Sequence, residues 1–294
     1  VFSQKCESWF EQHLSCSRAL MTHSCTAALE MVALLIETQP GDEIILPSFT
    51  FVSTANAFAL RGASLKFADS LPNHPNVDPA SIISLISSRT KAIVVVHYAG
   101  MAIDMDSLLV ICREKNIFLI EDAAQGMHSH YKNKPVGTIG DFATFSFHET
   151  KPISCGEGGM LIINRPEYIP LAEKILEKGT NKIEFKRGGV QSYEWNCLGS
   201  SFAASQLQAA VLLAQLEEVD MIFEIRKSKW QIYDRELKIE NSSFRLPQSF
   251  DFSSYNTSVF YLEILKPSLR NILIRKFNEK GIQVPNQIAI IGFS

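Results

Sequence analysis

The alternation of short apolar runs with helix-forming segments is the feature that most restricts the fold of this 294-residue chain. The run Ala92–Val96 (A-I-V-V-V) is continuous and rich in β-branched residues, as expected of a strand buried on both faces. Similar runs predict strands at Ile44–Leu46, Leu65–Ala68, Ile117–Glu121, Phe142–Phe147 and Met160–Ile163. Between them, helices are predicted at Thr26–Ile36, Ser53–Leu60, Pro79–Ile86, Asp104–Lys115 and Pro166–Glu177. Such repeated units predict an α/β fold with a mostly parallel central sheet flanked by helices.

The residues after Lys178 follow a different pattern. A loop is predicted over Gly179–Ser201 and one long helix over Phe202–Lys238. The pattern then predicts a strand at Ser258–Leu265, a helix at Leu269–Lys280 and a short strand near Ile282. We therefore expect a large domain over residues 1–201, a linking helix over 202–240 and a smaller, partial α/β domain over 241–294.

Charge and composition exclude several classes of protein. The 28 basic and 31 acidic residues give a net charge of −3, which argues against a nucleic-acid-binding protein. No apolar run approaches the ~20 residues of a membrane-spanning helix. The six cysteines are scattered without the spacing of metal ligands, which predicts no metal site and a reduced, cytoplasmic protein. The chain begins with Val1, which indicates processing or a fragment.

Lys151 and Asp122 are the residues that most clearly indicate chemistry. Lys151 follows the apolar strand F-A-T-F-S-F and precedes the turn G-E-G-G, while Asp122 directly follows the strand I-F-L-I-E. The carboxyl ends of parallel strands form the ligand crevice of such sheets, so both side chains are expected there. A lysine facing a carboxylate suggests pyridoxal 5′-phosphate. The aldehyde of this cofactor binds the amine, and a carboxylate keeps its ring nitrogen protonated. Asp122 is equally well read as a helix N-cap.

Further residues at the predicted crevice suit such a cofactor. Cys25 and Thr26 open the first strong helix, where backbone N–H groups bind anions, although simple capping explains them too. Ser146 offers another hydroxyl, or is an ordinary strand residue, and Phe51 either stacks on a ring or belongs to the core. Two histidines that follow strands are substrate-side candidates, His97 and His148, and His97 is also compatible with a structural role.

Together these segments resemble the DegT/DnrJ/StrS family of sugar aminotransferases, which are pyridoxal-phosphate enzymes of fold type I. The matching motifs are S-C-T-A-A-L-E at 24–30, P-G-D-E-I-I-L-P-S-F-T-F at 40–51, V-H-Y-A-G at 96–100, E-D-A-A-Q-G at 121–126, S-F-H-E-T-K at 146–151 and G-E-G-G at 156–159. They occur in the order and spacing of the family. Other segments, such as T-F-V-S-T-A-N-A-F at 50–58, are similar to the branch that makes dTDP-4-amino-4,6-dideoxygalactose.

The resemblance implies a role for each site residue. Lys151 would form the internal aldimine, Asp122 would pair with the pyridine nitrogen and Gln125 would contact the 3-hydroxyl side. The remaining roles are phosphate binding by Cys25, Thr26 and Ser146, cover of the ring face by Phe51, and a phosphate contact to the neighbouring subunit of a homodimer by Ser201. Family members are longer at both ends, so the chain and its small domain are expected to be incomplete.

The function implied by the resemblance is transfer of an amino group from L-glutamate to a dTDP-linked 4-keto-6-deoxy sugar for cell-surface polysaccharide. The alternatives are an aminotransferase acting at C3 or on another nucleotide sugar, and a non-catalytic regulatory member. A dehydratase of the same family is disfavoured because Lys151 stands where those enzymes carry His. A nicotinamide enzyme is disfavoured because no G-x-G-x-x-G follows the first predicted strand.

Overall fold

The computed structural model describes residues 1–238, 243–257 and 259–282. The strands are β1 (Arg18–Thr22), β2 (Glu43–Pro47), β3 (Ser64–Ala68), β4 (Thr90–Val96), β5 (Phe118–Asp122), β6 (His130–Tyr131), β7 (Lys134–Pro135), β8 (Phe142–Ser146), β9 (Gly159–Ile163), β10 (Phe244–Arg245), β11 (Ser253–Ser254) and β12 (Glu263–Ile264). The helices are α1 (Phe2–Leu14), α2 (Cys25–Leu35), α3 (Val52–Ala59), α4 (Pro79–Ser84), α5 (Asp106–Lys115), α6 (Ile169–Leu176), α7 (Lys182–Lys186), α8 (Gln206–Glu217), α9 (Val219–Glu236) and α10 (Pro267–Glu279). Single 3₁₀ turns lie at Tyr98–Gly100 and Pro166–Tyr168.

A seven-stranded sheet in the order β1-β9-β8-β5-β4-β2-β3 forms the centre of the described chain. The pairs from β8 through β5, β4 and β2 to β3 are parallel, and β9 is antiparallel to both of its neighbours. The predicted α/β fold with a mostly parallel sheet is therefore confirmed, as are all six strands predicted before Lys178.

Alternate side chains of a strand point to opposite faces of the sheet, and both faces are buried here. In β4, Ile93 and Val95 belong to a core with Cys6 and Phe10 of α1 and Leu212 of α8. Ala92 and Val94 belong instead to a second core, which includes Leu29 of α2, Phe58 of α3 and Ala172 of α6. Helices thus cover each face, as the continuous apolar strands predicted.

The stretch predicted as one long helix is two helices. Ser205 forms a capping box with Gln208, so α8 begins at Gln206 and not at Phe202. Ala203 instead forms a β-bridge with Thr22. At Glu218 the backbone leaves helical geometry (ψ 17°), and the chain turns into α9. Leu216 and Val219 on either side of this turn are both buried in the same core.

The C-terminal prediction also needs correction. Only Glu263–Ile264 of the predicted strand Ser258–Leu265 is paired, and it binds β10, while Ser258 lies outside the described residues. The preceding residues pack on α9, where Phe260 lies 5.1 Å from the Trp230 ring. The helix at Leu269–Lys280 is present as α10, Ile282 is not in a strand, and later residues are not described. Strand β11 pairs with β6, and the division into domains stays a prediction.

Sequence patterns missed the first two elements. Helix α1 packs on α8 through the Cys6 thiol, which donates to the carbonyl of Ala209. Strand β1 pairs with β9 across its whole length. The region Gly179–Ser201, predicted as a loop, also contains the short helix α7.

We predict that Gly159→Ala disturbs the start of α2, because a Cβ on Gly159 would lie 2.4 Å from the Ser24 carbonyl and 2.5 Å from the Cys25 nitrogen. Both contacts are with backbone, so the helix start must move, and we expect the free energy of unfolding to fall by about 3 kcal/mol. Gly156→Ala is the control, since a Cβ there meets nothing within 4 Å and the cost of its positive φ is about 1 kcal/mol. Denaturant melts of both variants measure the difference, and equal losses would contradict the prediction.

Candidate active site

The predicted crevice exists at the carboxyl ends of three neighbouring strands. Asp122 ends β5 and lies in register with Val96 of β4 and Thr144 of β8. Ser146 ends β8 beside Gly159, whose backbone lies against the first residues of α2. The end of β5, the loop after β8 and the start of α2 therefore meet at one edge of the sheet, where open α/β folds bind ligands.

Asp122 is the buried acid of this edge, with 4% of its surface exposed. Its Oδ2 accepts a hydrogen bond of 2.7 Å from the Thr54 hydroxyl, and its Oδ1 accepts one of 3.1 Å from the Ala124 N–H. Burial raises the pKa of Asp122 above its ordinary value, although these hydrogen bonds and the charge of Lys151 lower it. The chain forms a turn after Asp122, so the N-cap interpretation is wrong.

Lys151 lies in the turn that follows β8, and its N–H donates to the His148 carbonyl at 2.9 Å. It is half-buried. Burial raises the pKa of the Cys25 thiol, the Asp122 charge raises it further, and Lys151 lowers it. Lys151 follows Ser146, the last residue of β8, by five positions, so its turn lies at the same edge of the sheet as Asp122.

The start of α2 is suited to an anion. Ser24 caps the helix by accepting the Ala27 N–H at 3.1 Å, and helix geometry leaves the N–H groups of Cys25 and Thr26 without an intrahelical acceptor. The Thr26 hydroxyl donates to the Ser53 hydroxyl at 2.8 Å. Sequence reasoning missed Ser53 and also missed Thr54, although the polar pair at the start of α3 was a usable signal.

Two of the predicted site residues, Phe51 and His148, are accessible to solvent. Phe51 precedes α3 with 65% of its surface exposed, while Phe49 packs against Tyr98 at 4.9 Å. His148 is partly exposed, and its ring contacts Thr150 and Glu157.

Ser201 lies in the segment that leads to α8. It is exposed and forms a β-bridge with Glu177, and the next residue, Phe202, accepts the His23 N–H at 2.9 Å. Its predicted contact with a neighbouring subunit stays a prediction.

His97 does not face the crevice, which corrects the substrate-side prediction. Its side chain is fully buried and its Nε2 lies 3.0 Å from Glu121 Oε2. Burial alone raises the pKa of Glu121, but hydrogen bonds from His97 and from the N–H groups of Gly137 and Gly140 lower it below the ordinary value. His97 therefore holds the ends of β4 and β5 together and is a structural residue.

Gln125 lies on the turn that follows Asp122. Its Oε1 accepts the Ala99 N–H at 2.6 Å, so the oxygen is used by the main chain. The Nε2 group is then the end of the amide that can donate to a ligand. Asn256 binds the main-chain carbonyl of the same residue at 2.6 Å.

Pyridoxal phosphate fits these residues on chemical grounds. Among the residues that the structure describes, no ion pair joins the buried Asp122 to a cation, and a protonated pyridine nitrogen would supply one. The helix start offers N–H groups to a phosphate, and Lys151 offers an amine beside both. The aldehyde, the ring nitrogen and the phosphate of the cofactor would thus each find a group of matching chemistry.

These features match a known family. The model of the DegT/DnrJ/EryC1/StrS aminotransferase family matches residues 2–286, and the chain belongs to this family. Family membership indicates pyridoxal phosphate as the cofactor.

Several curated relatives are about one-third identical to the chain over the aligned residues. The spore coat polysaccharide biosynthesis protein SpsC of Bacillus subtilis is 36% identical over 74% of this chain and 57% of its own length. A GDP-perosamine synthase of Caulobacter vibrioides is 36% identical over 79% of this chain and 60% of its own. A dTDP-4-dehydro-2,3,6-trideoxy-D-glucose 4-aminotransferase of Saccharopolyspora spinosa is 29% identical over 94% and 73%. The chain thus spans about 60% of the length of the first two relatives.

Solved structures share the fold. The aminotransferase TlmJ from Streptoalloteichus hindustanus superposes with a TM-score of 0.91 at 27% identity, covering 99% of this chain and 78% of its own. A 3-amino-5-hydroxybenzoic acid synthase gives a TM-score of 0.90 at 27% identity, covering 99% of this chain and 75% of its own.

No helix in the described residues combines the length and apolar content that a membrane span needs. Within those residues, no three His, Cys, Asp or Glu side chains form a metal-binding group.

Proposed function

We propose that this chain is a pyridoxal-phosphate-dependent aminotransferase that moves an amino group from L-glutamate to a nucleotide-linked 4-keto-6-deoxy sugar. The observation that carries the proposal is the meeting of Lys151, the buried Asp122 and the open start of α2 at one edge of the sheet. Family membership supports the reaction type. The "4-aminotransferase" in the name of the Saccharopolyspora relative supports the sugar carbon.

Each crevice residue has a part in this reaction. When bound, pyridoxal phosphate supplies an electron sink for the charge that develops on the reacting carbon. Lys151 provides the amine that attaches the cofactor and then carries the proton to and from that carbon. Asp122 holds the proton on the ring nitrogen, Gln125 donates to the 3-hydroxyl side, and Phe51 shields the ring face from water. The phosphate is bound by the N–H groups of Cys25 and Thr26 and by the hydroxyls of Thr26 and Ser146.

A homodimer would complete this site. Leu207, Trp195 and Val211 are 82%, 75% and 51% exposed, which supports an apolar contact near Ser201. Ser201 would then reach the phosphate in the neighbouring subunit. The cytoplasm is the proposed location, supported by six unpaired cysteines.

The sugar product we favour is dTDP-4-amino-4,6-dideoxygalactose, for cell-surface polysaccharide of the enterobacterial common antigen or O-antigen type. Its support is the T-F-V-S-T-A-N-A-F segment at 50–58. The GDP-perosamine synthase relatives favour a second candidate, a GDP-linked keto sugar. A panel of dTDP- and GDP-linked 3-keto and 4-keto deoxyhexoses, with the amine position of the product read by NMR, separates these candidates.

We predict ping-pong kinetics, because both half-reactions use the same site. Cofactor-loaded protein given L-glutamate alone is expected to release one equivalent of 2-oxoglutarate per site, since the amino group stays on the enzyme. Steady-state plots at several sugar concentrations are expected to give parallel lines. Release of no 2-oxoglutarate by protein that binds the cofactor would exclude glutamate as the donor, and intersecting lines would contradict the shared site.

A further inference from the structure

The turn that follows β4 has an unusual backbone. Ala99 has φ +55° and Gly100 has φ +79°, so two successive residues adopt the left-handed region. A residue with a Cβ, such as Ala99, enters this region at a cost, and the surrounding contacts must hold it there. The turn borders the cofactor site, because the Ala99 N–H donates to Gln125 Oε1.

Three side-chain amides from distant parts of the chain hold this turn. Gln125 takes the Ala99 N–H, as described above. Asn76 accepts the Tyr98 N–H at 2.9 Å and donates to the Met101 carbonyl at 2.8 Å. The third amide, Asn256, touches the turn from the C-terminal region, where a Cβ on Gly100 would lie 2.5 Å from its Oδ1.

Asn256 also binds the segment that carries Gln125. Its Nδ2 donates to the carbonyls of Gln125 and Met127 at 2.6 and 2.8 Å, and its N–H donates to the Ser129 hydroxyl at 3.1 Å. The residue is 4% exposed. It is anchored in turn by β11, where Ser253 Oγ accepts the Ala102 N–H at 2.9 Å.

We propose that Asn256 is a positioning residue for the cofactor site, and that it acts by fixing the Gln125 backbone so that the Gln125 amide is aimed at the ring. The proposal rests on the proposed function. In this role Asn256 acts through Gln125 and not by contact with the cofactor. It connects the C-terminal region to the residue that faces the 3-hydroxyl, so docking of residues 253–257 becomes a requirement for an ordered pocket.

The test compares Asn256→Ala with Asn76→Ala. The two asparagines are matched, since Asn76 is 1% exposed and its side chain holds the other side of the same turn through Tyr98 and Met101. In the cofactor-free full chain, hydrogen exchange of the Ala99 amide reports whether the Gln125 side chain still accepts its hydrogen bond. Asn256→Ala is expected to weaken protection of the Ala99 amide by about tenfold, whereas Asn76→Ala exposes the Tyr98 amide and leaves Ala99 protected. Asn256→Asp keeps the shape of the side chain and replaces the donor, so it repeats the test should the alanine variant fail to fold.

Cofactor binding is the second measurement. The dissociation constant for pyridoxal phosphate is expected to rise about tenfold in Asn256→Ala, with a shifted visible absorption maximum, and to change less than about twofold in Asn76→Ala. Unchanged Ala99 protection in both Asn256 variants would overturn the proposal, as would equal effects of the Asn76 and Asn256 variants on cofactor binding. Failure of the wild-type chain to bind pyridoxal phosphate would refute the proposed function instead, and the Ala99 exchange result would still decide whether Asn256 positions Gln125.

Discussion

Lys151→Ala is expected to abolish the visible absorption band of bound pyridoxal phosphate and to lower the transamination rate by roughly 10⁴-fold, because one amine both attaches the cofactor and moves the proton. Borohydride reduction of the loaded wild-type protein, followed by peptide mass analysis, is expected to place the added cofactor mass on the peptide that contains Lys151. Lys115→Ala, at an exposed position near the end of α5, is the matched control and should retain both the band and the rate.

The result distinguishes the two main alternatives for this chain. A band that survives in Lys151→Ala would show that another lysine holds the cofactor, and our assignment of the site would be wrong. A wild-type chain that forms the band but transfers no amino group would support the non-catalytic, regulatory alternative. Unequal thermal stability of the two variants is checked by circular dichroism, so that a folding defect is not read as a catalytic one.

Asp122→Asn is expected to have opposite effects on cofactor binding and on the stability of the cofactor-free protein. Affinity for pyridoxal phosphate should fall by roughly 100-fold, since one partner of a buried charge pair is lost. The free energy of unfolding of the cofactor-free protein should rise by about 1–2 kcal/mol, because no cation within the described part of the chain forms an ion pair with the buried carboxylate. The asparagine can be satisfied, since the Thr50 and Thr54 hydroxyls, 2.8 Å apart, can reverse their hydrogen bond.

The pH dependence of this stabilisation follows from the direction of the pKa shift. Burial raises the pKa of Asp122 above its ordinary value of 3.8, so the folded state binds the proton more tightly than the unfolded chain. Stability of the cofactor-free wild type therefore falls as pH rises from 3.8 through the raised pKa, and then stays level. The difference between Asp122→Asn and wild type is expected to be small near the lower end of this window and largest above it. Denaturant melts across pH measure it, and a difference that shrinks with rising pH would contradict the assignment.

The crevice was predictable from the sequence because its determinants are local. A continuous run of β-branched residues indicates a buried parallel strand, and the residue that follows such a strand must lie at the carboxyl edge of the sheet. This argument placed Asp122 and Lys151 correctly at one edge without any knowledge of distant contacts.

The same argument placed His97 at that edge but failed on the direction of its side chain. That direction depends on Glu121, whose carboxylate also collects the N–H groups of residues 137, 139 and 140. The sequence analysis did not identify Thr54 and Asn256 for a related reason, because their partners lie 68 and 131 residues away in the chain. The break at Glu218 likewise reflects packing of two helices on one core, which helical periodicity alone does not record.

The antiparallel strand β9 sets the order in which the chain can be assembled. Within the described residues, strand β1 joins the sheet through β9 alone, and α1 rests on α8, with Cys6 and its partner Ala209 separated by 203 positions. During synthesis the first residues must therefore wait for most of the polypeptide to leave the ribosome, since closing so large a loop precedes any reward from the contact. In the meantime the side of α1 that packs on α8, including Cys6, stays uncovered. We expect nascent chains that end before β9 to hold this face open as a binding site for chaperones, and the final docking of α1 to be a late event in folding.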